Sequence, residues 1–171
     1  MLNETMLTNQ EVRNLLNLPK ILKDKDFVVD LRKKKNRIDL VSDDESKQEF
    51  AVEITSNDKI LLKTTIHHFE KTEYVGLLRI DFKGTHQNPS YVTENLPPFL
   101  KKYLNKFFTP DEHHLHIYFE GYAPLAWAVP LKDINFPILN LDNKSDIADL
   151  MHIFAQKTNI KSTLKIITSF Y

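Results

Sequence analysis

The sequence contains no cysteine, only three glycines and no excess of either charge. The absence of cysteine excludes disulfides, thiolate metal ligands and a thiol nucleophile. The 23 basic and 23 acidic residues cancel, which argues against a global attraction to nucleic acid or to an anionic membrane. No apolar run approaches the roughly 18 residues that cross a bilayer, and the N-terminus lacks the pattern of a signal peptide. We therefore predict a cytoplasmic protein without membrane contact, folded as a single domain over residues 1–171.

Apolar and polar residues alternate from Asp26 onward, a period that is typical of β-strands. The predicted strands are 27–31, 38–41, 50–55, 59–69, 73–83, 114–120, 125–129 and 163–169. The links between the first five strands contain turn-forming residues and are too short for parallel crossovers. These strands are therefore predicted to form an antiparallel meander.

Three helices complete the predicted fold. Thr8 and Glu11 have the spacing of a capping box, ahead of a short helix that Pro19 stops. A second helix begins at Pro98, and a third is capped by Ser145. Together these segments predict an α+β fold, with a mostly antiparallel, twisted sheet of about seven to eight strands and three helices.

Residues 32–37, at the tip of the first predicted hairpin, carry five positive charges. Contact with the phosphates of a nucleic acid is one interpretation of this run. The simpler interpretation is a solvated turn that Asp43, Asp44 and Glu45 partly neutralise. We favour the second interpretation because charge runs usually lie on solvated surface.

Histidines concentrate between Leu78 and Leu131, which contain four of the seven in the chain. His114 and His116 stand two apart on a predicted strand, so both side chains leave the same face, roughly 6.6 to 7 Å apart at the backbone. Two imidazoles at that spacing can converge on one ion, with His86 as the natural third ligand. Three carboxylates are alternative ligands: Glu120, Asp111 and Glu112. A divalent metal ion such as Zn²⁺ is therefore a candidate cofactor.

Without a metal ion, His86, His114 and His116 can serve as general acid and general base. Three other side chains are candidates for steadying an anion: Arg79, Lys83 and Asn88. Tyr118, on the same predicted face, can orient an imidazole or donate a proton. We expect the three imidazoles to lie close together, to be accessible to solvent, and to include at least one that has a lowered pKa or shares an anion or a metal ion.

The predicted strands also separate an inner from an outer face. Leu78, Ile80 and Phe82 are expected to face the core, whereas Arg79, Asp81 and Lys83 face away. One buried cluster is predicted beneath the histidines: Trp127, Leu115, Ile117, Phe119 and Ile80. The adjacent residues His67 and His68 point to opposite faces of their strand, so they cannot bind one metal ion together.

The segments Arg79–Pro89, His114–Tyr118, Glu120–Gly121 and Trp127–Pro130 resemble the pattern of a domain of unknown function found in bacteria and their prophages. That pattern is R-[LI]-D-x-x-G-x-x-H-x-N-P, then P-H-L-H-[IV]-Y-x-E-G and W-A-[IV]-P. The matching residues are Arg79, Asp81, Gly84, His86, Asn88, Pro89, His114, His116, Tyr118, Glu120, Gly121 and Trp127. His113 stands where the pattern has proline, and the interval from Gly84 to His86 is one residue shorter. The resemblance implies no established activity.

Two functions follow as hypotheses. The first is a histidine-centred activity of the phosphodiesterase or ribonuclease type, in a toxin–antitoxin context. The second is a non-enzymatic binding or inhibitory protein of a mobile element, antitoxin-like or directed against host defence, in which the histidines and Asn88 hold the segment from Pro89 to Pro98 in place. Nucleic acid and protein are both candidate partners, and the oligomeric state is left open.

Overall fold

The computed structural model describes residues 6–57 and 62–169. Within these residues the elements follow one another as α1 (Asn9–Asn17), β1 (Lys20–Leu22), β2 (Val28–Asp30), β3 (Lys35–Ser42), β4 (Glu49–Asn57), β5 (Lys63–Glu70), β6 (Val75–Phe82), β7 (His86–Gln87), the 3₁₀-helix η1 (Pro98–Tyr103), β8 (Phe107–Phe108), β9 (His114–Ile117), β10 (Trp127–Pro130), the 3₁₀-helix η2 (Leu131–Ile134), α2 (Lys144–Lys157) and β11 (Lys165–Ile167).

Seven of these strands form one sheet, in the spatial order β1-β3-β4-β5-β6-β9-β10. Each of its strands is antiparallel to its neighbours. Two strand pairs lie outside it: β7 with β8, which is antiparallel, and β2 with β11, which is parallel. The predicted α+β fold with a mostly antiparallel sheet is confirmed.

The helix ends test the capping predictions. The capping box between Thr8 and Glu11 is present at the start of α1. Ser145 is not the cap of α2, because that helix begins at Lys144 and its N-cap is Asn143, whose side chain accepts a hydrogen bond from the Asp146 N–H. Asp146 in turn accepts from the Asn143 N–H, so a second capping box replaces the single cap that was predicted.

The middle helix is a six-residue 3₁₀-helix rather than a longer α-helix. Leu100 and Tyr103 point into the core, whereas Phe99 is exposed. The chain leaves the helix at Leu104 with an extended ψ of 131° and then reverses at Asn105, where φ is 57°. Phe107 and Phe108, beyond that point, form strand β8.

The apolar side of the sheet forms the core together with the two α-helices. From α2, this core receives Ile147, Leu150, Met151 and Phe154. The predicted buried cluster is confirmed for Trp127, Ile80 and Leu115, whereas Ile117 and Phe119 are only partly buried and pack against the core.

A buried lysine joins the ends of the two α-helices. Lys20 is fully buried, and its ammonium group donates to the carbonyls of Leu16, Leu18 and Thr158 over 2.9–3.1 Å. These carbonyls lie at the C-terminal ends of α1 and α2, where a positive charge is favourable. Burial lowers the pKa of Lys20 to about 7.

The segment between β6 and β9 determines what happens on the opposite side of the sheet. It contains β7, η1 and β8, and it returns across the polar face instead of leaving that face open. The Phe108 ring lies 4.5 Å from the His114 ring, between centroids. Asp81 was predicted to face away from the core, but it is only 1% exposed because this segment covers that end of the sheet.

Within the described residues, no helix has the length and apolar character needed to cross a membrane.

Candidate metal centre

Three neighbouring strands place polar side chains on the same face of the sheet. The backbone register pairs Asp81 on β6 with His114 on β9, and Arg79 with His116. On the other side of β6, Asp81 pairs with Thr65 on β5. Side chains of directly paired residues stand on the same face, so this register assembles a compact polar cluster.

One carboxylate oxygen lies at the centre of the cluster. His116 Nε2 is 3.0 Å from Asp81 Oδ2, and His114 Nε2 is 3.7 Å from the same oxygen. Ligand atoms from all three residues lie within 4.8 Å of one another. Two imidazoles and one carboxylate at this spacing are a donor set that transition-metal ions accept.

The other ring nitrogen of each histidine is held by a backbone carbonyl. His114 Nδ1 is 2.7 Å from the carbonyl oxygen of Glu112, and His116 Nδ1 is 2.9 Å from that of Leu125. A carbonyl only accepts, so both Nδ1 atoms carry the proton and donate. This arrangement is usual for metal-binding histidines, because it fixes the ring and directs Nε2 towards the ion.

The two histidines nevertheless differ at Nε2. In His114 this atom is buried and has no hydrogen-bond partner among the described residues. With Nδ1 protonated, a neutral His114 presents an unused lone pair that points towards Asp81. In His116 both nitrogens face oxygen acceptors, so both contacts are hydrogen bonds only when the ring is doubly protonated.

Arg79 and Thr65 hold the Asp81 carboxylate from the other side. Arg79 Nε donates to Oδ1 at 3.0 Å and Nη2 donates to Oδ2 at 2.7 Å. The Thr65 hydroxyl donates to Oδ1 at 2.8 Å. Burial alone would raise the pKa of Asp81, but the hydrogen bonds from His116 and Arg79 and the charge of Arg79 outweigh it and lower the pKa. Asp81 is therefore ionised at neutral pH.

Burial affects the histidines in the opposite direction. It lowers the pKa of His114 to about 4, and the hydrogen bond to the Glu112 carbonyl only partly counteracts this. It also lowers the pKa of His86, with a further contribution from the charge of His116. The expectation that at least one imidazole has a lowered pKa is confirmed.

His86 lies beside the pair without converging on the same point. Its ring centroid is 4.4 Å from that of His116 and 6.1 Å from that of His114. Its Nε2, however, donates to the Ala126 carbonyl at 2.8 Å. Among the described residues the group of converging ligand atoms contains Asp81, not His86.

The segment between β6 and β9, residues 83–113, is called the covering segment below. Asn88 fastens it to the edge strand β10. Its side-chain oxygen accepts from the Ala128 N–H at 2.8 Å, and its side-chain nitrogen donates to the Ala128 carbonyl at 2.9 Å. The same nitrogen donates to the Tyr103 carbonyl at 3.1 Å. The amide therefore pairs with Ala128 as a neighbouring strand would.

Two other predicted residues have different surroundings. Tyr118 lies beyond the end of β9, its ring is in the core, and its hydroxyl donates to the Leu7 carbonyl at 2.7 Å. The Lys83 N–H donates to His113 Nδ1 at 3.1 Å, next to the cluster rather than inside it. Two of the alternative carboxylates also have other partners: Glu120 accepts from the Asn9 N–H, and Glu112 pairs with Lys106.

The expectation that the histidine cluster is accessible to solvent is wrong for His114 and His116, whereas His86 is partly exposed. His114 is 0% exposed and His116 3%, because β7 and β8 cover the ends of β6 and β9. Arg79, Thr65 and His86 are partly exposed, with the Arg79 side chain at 40%.

Residues 7–160 match the model of one protein family, described as "Family of unknown function (DUF6978)". The chain belongs to this family. The resemblance found in the sequence thus holds at the level of a family of unknown function, while the origin in bacteria or prophages and the motif itself stay predictions. No curated protein and no solved structure matches the chain.

Sequence reasoning missed two residues of the cluster in this DUF6978 chain, Asp81 and Thr65. A signal for Asp81 was present, because it stands two residues after Arg79 and shares the outward phase of its strand. Thr65 carried no such signal, since only the register between β5 and β6 brings it to the carboxylate.

The basic turn at residues 32–37 is neutralised by other acids than those predicted. Arg32 pairs with Asp30 at 2.6 Å, Lys35 with Glu53 at 3.1 Å, and Arg37 with Asp39 at 3.4 Å. Asp44, by contrast, accepts from Ser42 and Ser46 in its own turn. These ion pairs favour the interpretation of a solvated turn over a nucleic-acid contact.

Proposed function

We propose that this protein binds a divalent transition-metal ion, with Zn²⁺ as the first candidate, through His114, His116 and Asp81. We further propose that the ion serves a hydrolysis of the phosphodiesterase or ribonuclease type. The observation that carries the proposal is the lone pair on His114 Nε2, which is buried, has no hydrogen-bond partner in the described part of the chain and lies 3.7 Å from the ionised carboxylate of Asp81.

The donor set agrees with this chemistry. Catalytic zinc sites commonly have three protein ligands from histidine and carboxylate side chains, and non-haem iron sites use two histidines and one carboxylate. An unpartnered buried nitrogen is costly, on the order of 1–3 kcal/mol, unless something binds it. A metal ion would remove that cost and would replace the proton that His116 Nε2 shares with Asp81.

A mechanism based on the histidines alone has less support. A buried His114 with a pKa of about 4 is neutral near pH 7 and has no proton on Nε2 to give to a leaving group. A metal ion supplies what the neutral ring lacks, because it polarises a phosphoryl oxygen and activates water without a protonated side chain. Arg79, which is partly exposed, is the candidate that would steady the anionic group of a substrate.

Metal binding is tested on protein purified without a histidine tag and stripped with a chelator. Titration with Zn²⁺ against a chromophoric chelator should give one tight site, and the His114→Ala variant should lose it. His152→Ala is the matched control, because His152 is an exposed histidine on α2. Equal Zn²⁺ binding by wild type and His114→Ala would contradict the proposed site.

Activity is tested on the metal-loaded protein with bis(p-nitrophenyl) phosphate and with single-stranded RNA. His116→Ala should reduce any hydrolysis to background, whereas His152→Ala should not change it. Tight zinc binding without hydrolysis of either substrate would contradict the hydrolytic part of the proposal and leave the metal site standing.

A second candidate function is supported by a different observation. His86 and Asn88 bond to the backbone carbonyls of Ala126 and Ala128 and so fasten the covering segment to the edge of the sheet. His114 and His116 also bond to backbone carbonyls, next to their own strand. This suits the alternative of a non-enzymatic binding or inhibitory protein, antitoxin-like or directed against host defence, in which the motif is structural. That alternative predicts loss of folding in His114→Ala and no zinc uptake by the wild type. A mobile-element context is tested separately by the identity of the neighbouring genes.

A further inference from the structure

The two oxygens of the Asp81 carboxylate have different partners. Oδ2 faces the histidines, 3.0 Å from His116 Nε2 and 3.7 Å from His114 Nε2. Oδ1 faces β5 and accepts from the Thr65 hydroxyl at 2.8 Å and from Arg79 Nε at 3.0 Å. Rotation about the Cβ–Cγ bond would turn Oδ1 towards the histidines as well. A donor that holds Oδ1 on the β5 side therefore leaves Oδ2 as the oxygen that faces the histidines.

We propose that Thr65 is a positioning residue for the metal ion: its hydroxyl holds Oδ1 on the β5 side, so that Asp81 binds the ion through Oδ2 alone. This inference rests on the proposed function, since it concerns the same metal site. It assigns a role to a residue that touches neither histidine and that would not bind the ion itself.

Thr65 suits this task better than Arg79 does. Its side chain has a single rotatable bond before the hydroxyl and stands on a central strand, between Thr55 on β4 and Asp81 on β6. The Arg79 side chain is long, is 40% exposed, and grips both carboxylate oxygens at once. The Arg79 fork fixes the plane of the carboxylate. The Thr65 hydroxyl binds Oδ1 alone and so holds that oxygen on the β5 side.

The hydroxyl is separable from the rest of the residue. The position of Thr65 in the sheet depends on backbone pairing with β4 and β6, which a valine retains. Valine has the same shape as threonine and an equally high preference for strands. Thr65→Val therefore removes the hydrogen bond to Oδ1 and leaves Arg79 as the remaining donor to that oxygen.

The predicted consequence is a weaker and differently coordinated ion. Loss of an outer-shell partner of a ligating side chain typically costs 10- to 100-fold in metal affinity. We expect the same loss for Thr65→Val, together with a changed coordination, because Oδ1 then has only the hydrogen bond from Arg79 Nε and can turn towards the ion.

The test uses Co²⁺ alone as the probe, on the full-length chain without a tag, after removal of metal. Co²⁺ affinity is measured by competition with a chromophoric chelator, and coordination by the visible absorption of the bound ion. Thr65→Val should lose 10- to 100-fold in affinity and shift the absorption bands. Thr65→Ser retains the hydroxyl and should stay within about threefold of wild type with unchanged bands, a rescue that a merely structural role would not produce.

Thr55→Val is the matched control. Thr55 is the cross-strand neighbour of Thr65 on β4, stands on the same face and is exposed. The Thr55→Val variant should bind Co²⁺ with the affinity of wild type. If Thr65→Val does not fold, Thr65→Ala removes the same hydroxyl without a branched side chain and takes its place.

The possible results distinguish the role of Thr65 from the existence of the metal site. A wild-type protein that binds neither Zn²⁺ nor Co²⁺ overturns both. A wild type that binds Co²⁺ tightly, together with Thr65→Val of equal affinity and identical absorption, overturns the role of Thr65 and leaves the metal site intact. Loss of affinity in Thr65→Val and Thr65→Ser alike also overturns it, because the hydroxyl would then not be the group responsible.

Discussion

The chain contains two Arg–Asp pairs of the same design in different surroundings. In each, the residues stand two apart, Arg Nε donates to Oδ1 of the aspartate and Nη2 donates to Oδ2. The distances are 2.6 and 2.8 Å for Arg32 with Asp30, and 3.0 and 2.7 Å for Arg79 with Asp81. Both geometries are the bidentate fork that makes this pairing strong.

What differs is the set of neighbours. Asp30 lies at the end of β2, and its further contacts, from the Arg32 N–H and to the Asn36 side chain, only close the local turn. Asp81 is 2% exposed in its side chain and has two histidines beside it, one of them with an unpartnered nitrogen. The same ion pair thus fastens a turn in one place and holds a candidate ligand in the other, so the pair alone does not identify a site.

The largest effect should come from Asp81→Asn. Removing one partner of a buried ion pair typically destabilises a protein by about 3 to 5 kcal/mol, since the remaining donors lose their acceptor. Here Arg79, Thr65 and His116 all lose a charged acceptor, and we expect about 3 kcal/mol because Arg79 is partly hydrated. Urea unfolding of the metal-free protein measures this, and zinc affinity should fall at least 100-fold. A stability equal to that of Asp30→Asn would mean that the two pairs are equivalent after all.

The pH dependence of the free energy of unfolding should reflect the burial of His114 beside Asp81. His114 has a pKa of about 4 in the fold, and its usual value is 6.5, so the unfolded chain binds more protons between these values. The free energy of unfolding should therefore fall as the pH drops from about 6.5 to 4, by about 3 kcal/mol. Asp81, whose pKa is lowered in the fold, adds a further loss below its usual value of 3.8.

Unfolding free energies measured in urea from pH 8 to pH 3 check this sign. His114→Gln should flatten the branch between pH 6.5 and 4 without abolishing it, because His67, His68, His86 and His113 also have lowered pKa values. A stability that rises on acidification through this range would contradict the assignment of a neutral, buried His114.

Lys20 is a second buried charge to compare with Asp81, and all of its hydrogen-bond donors have acceptors. Its three N–H groups meet three carbonyls, so nothing is left for a ligand. Lys20→Met should leave these carbonyls unpaired at the ends of α1 and α2 and cost about 2 kcal/mol, partly offset because no charge is buried any longer. Thermal melting measures the loss. Zinc affinity should not change, and a decrease would show that the helix ends and the metal site are coupled.

The sequence predicted most of the strands and the face on which the histidines stand, because alternation is a local property. It predicted the wrong exposure for that face. Whether Asp81 meets water depends on the covering segment, which is fastened by contacts such as that of Asn88 with Ala128, 40 residues away. Alternation also failed for Tyr118, since β9 ends at Ile117 and the residues beyond it no longer keep the strand period.

The adjacent histidines on β5 show how far spacing alone is reliable. His68 is fully buried, donates through Nδ1 to the Ala51 carbonyl at 3.1 Å, and stacks on Phe50. His67 pairs with Arg79 in the register and so lies on the polar face. Their separation across the sheet follows directly from adjacency and was predictable. The approach of Asp81 to His114 depends on the register between β6 and β9, which no local pattern encodes.

The smallest effect should come from Asp30→Asn, the counterpart of the first substitution. The pKa of Asp30 is lowered to about 2, mainly by the hydrogen bond from Arg32, so the carboxylate is ionised at neutral pH. Arg32 is 31% exposed and can be hydrated when its partner loses charge, and the backbone of the turn remains held by the Asn36 side chain. We expect the melting temperature to change by about 2 °C or less, as for most substitutions near the surface. Zinc affinity should equal that of wild type, because β2 lies in a two-stranded sheet with β11 and contributes none of the candidate ligands. A loss of zinc binding in this variant, comparable to that of Asp81→Asn, would show that general destabilisation rather than ligand chemistry controls metal uptake.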